Sequence, residues 1–329
     1  MQAGHPDASL AASAAHAVAL YGSDAELRRM VLPFVREGLH SGEAVVAAVS
    51  EQAAAVLCEG LGKARNDVRW AVPGLTYTSL GPASEAVRSY LAEQHEAGTP
   101  VRLLAENATG GPAGRTAAYL RLDAVSSEVY GVYGFPWACL YDRRRHPAEV
   151  LEQVVQVHPL LLGADGRAAG NGAYVSPEAY LAAHPGPLSP VPPTVALDVT
   201  LTTGAELSAV RNRAAAAAGL LGLPVADTRD LELGASEVIA NALEHGVLPC
   251  RVRLWGEAGQ VVVRVDDRGP GDGVATAGFR RPPLDSRSGM GLWIARQLAD
   301  VVHVGTGVDG NAVELRFGAV ARGGGRDAA

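Results

Sequence analysis

Three short stretches between residues 237 and 291 hold residue types at spacings that can do chemistry. Glu237, Asn241 and His245 lie four residues apart in succession. On a helix that spacing sets them in one polar row. A carboxylate and an amide oxygen one turn apart suit a base and a ligand for a magnesium–phosphate group; an ordinary solvated helix edge has the same look. The second stretch, Asp266-Asp267-Arg-Gly269-Pro-Gly271, follows a strand-like run. A carboxylate there can accept a hydrogen bond from an exocyclic amine, while glycines let a planar ring approach the backbone; a plain turn would read alike. The third, Ser286-Arg287-Ser288-Gly289-Met290-Gly291, stands directly before a helix-like run. Consecutive backbone N–H groups at a helix start make an anion site, and glycines leave it open to phosphates; a loop and a cap would also produce it.

The elements that must position these residues can be read from periodicity. Val195, Leu197, Val199 and Leu201 alternate as in a half-buried strand, followed by helices over Ala205–Leu221 and Thr228–His245. Along the second helix Leu231, Ala235, Val238, Ile239 and Ala242 form one apolar stripe, with the polar row beside it. Strands Arg251–Trp255 and Gln260–Asp266 flank Gly256-Glu-Ala-Gly259 as a hairpin, and helix Leu292–Ala299 precedes strands Val301–Val304 and Ala312–Phe317. Helices on one side of a mixed, largely antiparallel sheet predict an α+β two-layer sandwich.

The first half has another rhythm. Helices are expected over Asp24–Leu39, Ala83–Glu96, Arg115–Val129 and Pro147–Val157, with short apolar strands at Ala44–Val49, Val101–Ala105 and Trp137–Tyr141. Short apolar strands separated by helices predict an α/β domain with a parallel sheet covered on both faces. Between the halves, 163–193 is rich in Gly and Pro and reads as a linker, with one short helix near Ser176–Leu181.

Taken in order, the three stretches resemble the N, G1 and G2 boxes of the histidine-kinase-like (Bergerat) ATPases across 194–320. Ala235-Ser-Glu-Val-Ile-Ala-Asn-Ala-Leu-Glu-His-Gly246 and Arg287-Ser-Gly-Met-Gly291 are most similar to the anti-sigma-factor serine kinases of the RsbW type. The resemblance implies ATP and Mg²⁺ as cofactors, with Asn241 on the metal, His245 in the nucleotide site and Asp267 on the adenine amine. It further implies Gly269 and Gly271 on the adenine side, and Arg287, Ser288, Gly289, Met290 and Gly291 around the phosphates beneath a lid over 272–288. Glu237 would be the general base toward a serine of an anti-anti-sigma (antagonist) protein, and a sigma factor would be the sequestered partner. A homodimer is among the family's expectations.

Residues 13–162 resemble a MEDS sensory domain through His16-Ala-Val-Ala-Leu-Tyr21, Pro33-Phe-Val-Arg-Glu-Gly38 and Gly42-Glu-Ala-Val-Val46. Glu106, the Trp137–Asp142 strand and His158-Pro159 add to that likeness. It implies a RecA-like α/β scaffold that senses a small-molecule signal. Gly62-Lys63 lacks the glycine spacing and the Ser/Thr of a phosphate loop, which disfavours a second nucleotide site. His16, His158 and Trp137 read as packing residues.

Composition bounds the alternatives. The 329 residues carry a formal charge of −7, and Lys63 is the only lysine, so direct binding to nucleic acid is not expected. No apolar run approaches the ~20 residues of a membrane span, and the start of the chain has no signal-peptide pattern; a cytoplasmic protein is expected. Cys58, Cys139 and Cys250 form neither a disulfide framework nor a metal-ligand spacing. Two other classes compete with the serine kinase. A sensor histidine kinase needs a long phosphoacceptor helix before the ATPase domain, where this chain has Gly and Pro. A sequestering module would bind ATP without transferring its phosphate.

Overall fold

A computed structural model describes residues 16–70, 79–106, 114–269, 276–282, 289–307 and 310–318. The chain forms two compact units, one built mainly on the residues up to Tyr180 and the other mainly on those from Leu181 onward. Among the described residues, no helix is long and apolar enough to cross a membrane.

The first unit runs β1 (His16–Tyr21), α1 (Asp24–His40), β2 (Ala44–Ala48), α2 (Glu51–Leu61), β3 (Arg69–Trp70), α3 (Leu80–Glu96), β4 (Val101–Glu106) and α4 (Arg115–Tyr130). It continues with β5 (Trp137–Asp142), α5 (Ala148–Val157), β6 (Leu160–Leu162), β7 (Ala168–Gly170) and α6 (Pro177–Ala183). The sheet has the order β3-β2-β4-β5-β1-β6-β7. Every pair is parallel except β6 with β7, so the expected α/β sheet gains one antiparallel edge strand. Ser23 and Ser50 cap α1 and α2, each Oγ accepting a backbone N–H at 3.2 Å. One side of the sheet is aliphatic, with Ala19, Val45, Leu104 and Leu140 clustered with Leu27, Val31 and Leu57 of α1 and α2. At the end of β4, Glu106 accepts from Ser50 N and from the Tyr21 hydroxyl. Burial and that carboxylate together push the Tyr21 hydroxyl's pKa up.

The stretch 163–193 carries β7 and α6, and it has its own anchors. Tyr180 is buried and its hydroxyl donates to Gln153 of α5. Farther on, Ser189 donates its N–H and its hydroxyl to Glu314, each at 3.0 Å.

The second unit comprises β8 (Leu197–Leu201), α7 (Leu207–Leu220), α8 (Val225–His245), β9 (Cys250–Glu257), β10 (Gln260–Asp267), α9 (Met290–Leu298), β11 (Val301–Gly307) and β12 (Gly310–Phe317). The order β11-β12-β10-β9-β8 makes a wholly antiparallel sheet, where a mixed, largely antiparallel one was expected. The reason is β12, which returns from a hairpin with β11 to lie beside β10. One face of this sheet buries Val252, Leu254, Val261, Val263, Val265 and Leu315 with the apolar stripes of α7, α8 and α9. The other face is polar: Arg264 and Arg253 hold Asp266, and Arg316 pairs with Glu314. The α+β two-layer architecture is therefore as expected.

Candidate functional site

The strand period of two decides which of the adjacent aspartates reaches the helical layer. Val261, Val263 and Val265 of β10 belong to the core beneath the helices. Asp267 continues that row, whereas Asp266 points with Arg264 to the opposite face. Asp266 receives Arg253 at 2.6 Å and Arg264 at 3.0 Å. Asp267 is buried and its Oδ1 accepts three donors: Gly269 N at 2.7 Å, Val247 N at 3.3 Å and Asn311 Nδ2 at 3.3 Å. These bonds fix the carboxylate beside the end of α8 and commit one oxygen, while Oδ2 takes no part in them. Neither Val247 nor Asn311 stood out in the sequence. Asn311 is recruited by pairing register, since it faces Asp267 across the β10–β12 ladder.

Gly269 lies where close approach is needed. A Cβ built on it would strike Asn311 Nδ2 and lie 2.7 Å from Asp267 Oδ1. Behind the aspartate, burial together with Asp267 and Asp266 pushes the Cys250 thiol up to about 12, so Cys250 stays a neutral packing group.

Glu237 and Asn241 sit half-buried on α8, beside the buried stripe of Ala235, Val238, Ile239 and Ala242. His245, the last residue of that helix, is exposed and stands 3.9 Å from Glu244. Helix α9 starts against this row. Gly289 precedes it at φ 88°, a left-handed conformation that strains any residue with a Cβ. Met290 opens the helix, and Gly291 is buried in its first turn. A Cβ on Gly291 would lie 2.9 Å from Asn241 Nδ2, 3.0 Å from Asn241 Oδ1 and 3.0 Å from Glu237 Oε2. The structure thus brings Glu237, Asn241 and the glycine start of α9 together. The start of α9 therefore stands beside a carboxylate and an amide, an arrangement suited to an anion with a bound cation.

Gly271, Arg287 and Ser288 lie outside the described residues, as does most of the lid expected over 272–288. Of that lid, 276–282 is described. It packs Phe279 under the Arg296 guanidinium at 3.7 Å, and burial lowers Arg296 to about 9.

Two family models match the chain. Residues 15–159 match MEDS, the MEthanogen/methylotroph, DcmR Sensory domain. Residues 201–317 match the Histidine kinase-like ATPase domain, which encloses every candidate residue from Glu237 to Gly291. No curated protein matches the chain. The chain therefore carries a MEDS domain at its N-terminal end and a histidine kinase-like ATPase domain at its C-terminal end.

Proposed function

We propose that the ATPase domain binds ATP with Mg²⁺ and acts as a protein serine kinase of the anti-sigma type. Its substrate would be a serine of an anti-anti-sigma protein, its sequestered partner a sigma factor, and the MEDS domain would modulate it in response to a small-molecule signal. The observation that carries the reading is that Glu237 Oε2 and Asn241 converge on the start of α9, where a Cβ on Gly291 would lie about 3.0 Å from each.

The residues present fit the nucleotide. Asp267 holds Oδ1 on three protein donors, which leaves Oδ2 to accept from the adenine amine. Asn241 offers an amide oxygen to Mg²⁺, and Gly289, Met290 and Gly291 offer backbone N–H groups to the phosphates. ATP, when bound, would supply the γ-phosphoryl group and leave as ADP. Glu237 takes the proton of the partner's serine hydroxyl on a carboxylate oxygen, and α8 holds it one turn from Asn241. Transfer then depends on positioning and charge neutralisation more than on covalent chemistry by the protein.

The histidine-kinase alternative finds little support between the two matched domains. The one helix of 163–196 is α6, seven residues long, and it contains no histidine. His158 is fully buried, and His184 lies outside a helix.

The test is transfer from γ-labelled ATP to the source organism's anti-anti-sigma proteins, followed by acid treatment. Acid-stable label on a partner serine is expected. Acid-labile label on this chain would replace the proposal with a histidine kinase, and ATP binding without transfer to any of these partners would replace it with a sequestering module.

Gly291 gives a second check. In Gly291→Val the new side chain meets the mobile ends of Glu237 and Asn241, so the fold should survive with a cost of about 1–3 kcal/mol. Both polar ends are displaced, and ATP affinity should fall about ten- to a hundred-fold. Calorimetric titration beside thermal unfolding separates the two effects. A folded variant with undiminished ATP affinity would remove Glu237 and Asn241 from the nucleotide site.

A further inference from the structure

The first unit buries a second constellation on the side of its sheet opposite the aliphatic core. His16 and Trp137 are register partners in β1 and β5, and Cys139 is two residues along on the same face. Asp123 comes from the middle of α4, and His158 ends α5. All four polar side chains are at most 4% exposed. One ligand atom from each of His16, Asp123, Cys139 and His158 lies within 4.8 Å of all the others.

We propose that these four residues form a zinc site: two imidazoles, one thiolate and one carboxylate closing a tetrahedron inside the domain. Three separations, two of them to different oxygens of Asp123, lie near those of a zinc tetrahedron, and the set as a whole, within 4.8 Å, closes on the ion. His16 Nε2 lies 3.4 Å from Cys139 Sγ and 3.6 Å from Asp123 Oδ1, and His158 Nε2 lies 3.6 Å from Asp123 Oδ2. Zinc bonds of about 2.0–2.3 Å place neighbouring ligand atoms of a tetrahedron about 3.3–3.7 Å apart. The two histidine–aspartate separations are too long for hydrogen bonds.

The tautomer of His158 is set as well. His158 Nδ1 donates to the Val154 carbonyl at 2.7 Å, which leaves Nε2 as a lone pair, and that buried Nε2 has no hydrogen-bond partner among the described residues. His16 Nδ1 pairs with Ser127 Oγ at 2.9 Å, which turns its Nε2 toward the same centre. The Tyr141 hydroxyl donates to Asp123 Oδ2 at 3.0 Å. Outer contacts of this kind orient metal ligands. Charge points the same way: a thiolate and a carboxylate offset the two charges of the ion, so the loaded site is neutral in a buried place. Thiolate with imidazole selects zinc over magnesium or calcium.

His16 and His158 were expected as packing residues, and Cys139 had no ligand spacing in the sequence. The four ligands come from four separate elements and only the fold assembles them. This site does not depend on the kinase reading.

The full-length chain, produced with zinc in the medium and purified without chelators, should carry about one zinc per chain by elemental analysis. Cobalt exchanged into it should show a thiolate charge-transfer band that disappears in Cys139→Ala. His158→Ala and Cys139→Ala should both fall below about a tenth of an equivalent of zinc. If either variant fails to fold, the wild-type chain alone decides, because stripping the metal must lower its unfolding temperature and zinc must restore it. Wild-type protein without stoichiometric zinc, stoichiometric iron or copper in its place, or zinc retained in Cys139→Ala would overturn the proposal.

Discussion

Glu237→Gln is expected to lower phosphoryl transfer to a partner serine by about a hundred- to ten-thousand-fold, the range of a lost general base. ATP affinity should change by less than about threefold, because the contact removed acts mainly in the transition state. Glutamine keeps the size of the side chain, so it still fits against Gly291, where Glu237 Oε2 is one of the three atoms closest to a built Cβ. What glutamine lacks is a basic oxygen for the serine proton. Single-turnover transfer and calorimetric ATP titration on the same preparations separate the steps. Transfer that survives undiminished would place the base elsewhere, and a parallel loss of binding would make Glu237 a nucleotide ligand.

Much of the fold was legible because its helices have clear caps and stripes. The first long helix was expected over Asp24–Leu39 and spans Asp24–His40, with Ser23 as its cap. The long helix of the ATPase domain was expected from Thr228 and begins at Val225, directly after Pro224. Pro is tolerated at a helix start, where its missing N–H costs nothing. Strand β1 was harder to see. His16–Tyr21 is apolar without alternation, since both of its faces are covered, and such a run has no period to betray it. Helix α2, Glu51–Leu61, escaped for a related reason, because its alanines blur the stripe. Composition marked 163–193 as a linker, yet the burial of Tyr180 is a property of its neighbours and not of local Gly and Pro content.

The candidate sites divide along the same line. Glu237, Asn241, Asp267, Gly269 and Gly291 stand in local patterns, and helix or strand periodicity sets which face each of them takes. Asn311 and Val247 reach Asp267 only through strand pairing and the turn after α8. The His16, Asp123, Cys139 and His158 cluster is wholly tertiary, and no spacing along the chain announces it.

The adjacent aspartates offer the sharpest test of the strand reading, because they should fail in opposite ways. Asp266 is 2% exposed and holds both Arg253 and Arg264. In Asp266→Ala two shielded guanidinium groups lose their carboxylate, and removing one partner of a buried ion pair costs about 3–5 kcal/mol. Against a domain stability of about 5–15 kcal/mol, that is a large fraction. The protein that remains folded should bind ATP as before, since Asp266 faces away from α8 and α9. Asp267→Ala should do the reverse. Its three protein donors can find water at the edge of the site, so stability should fall by only about 1–2 kcal/mol. The adenine amine, by contrast, loses a charged acceptor worth about 1.5–3 kcal/mol, and ATP affinity should drop about ten- to a hundred-fold. Denaturant unfolding and nucleotide titration of both variants settle the matter. If Asp266→Ala loses ATP while Asp267→Ala binds normally, the row of Val261, Val263, Val265 and Asp267 does not end at the nucleotide, and the adenine side of the site must be rebuilt on the other face of the sheet.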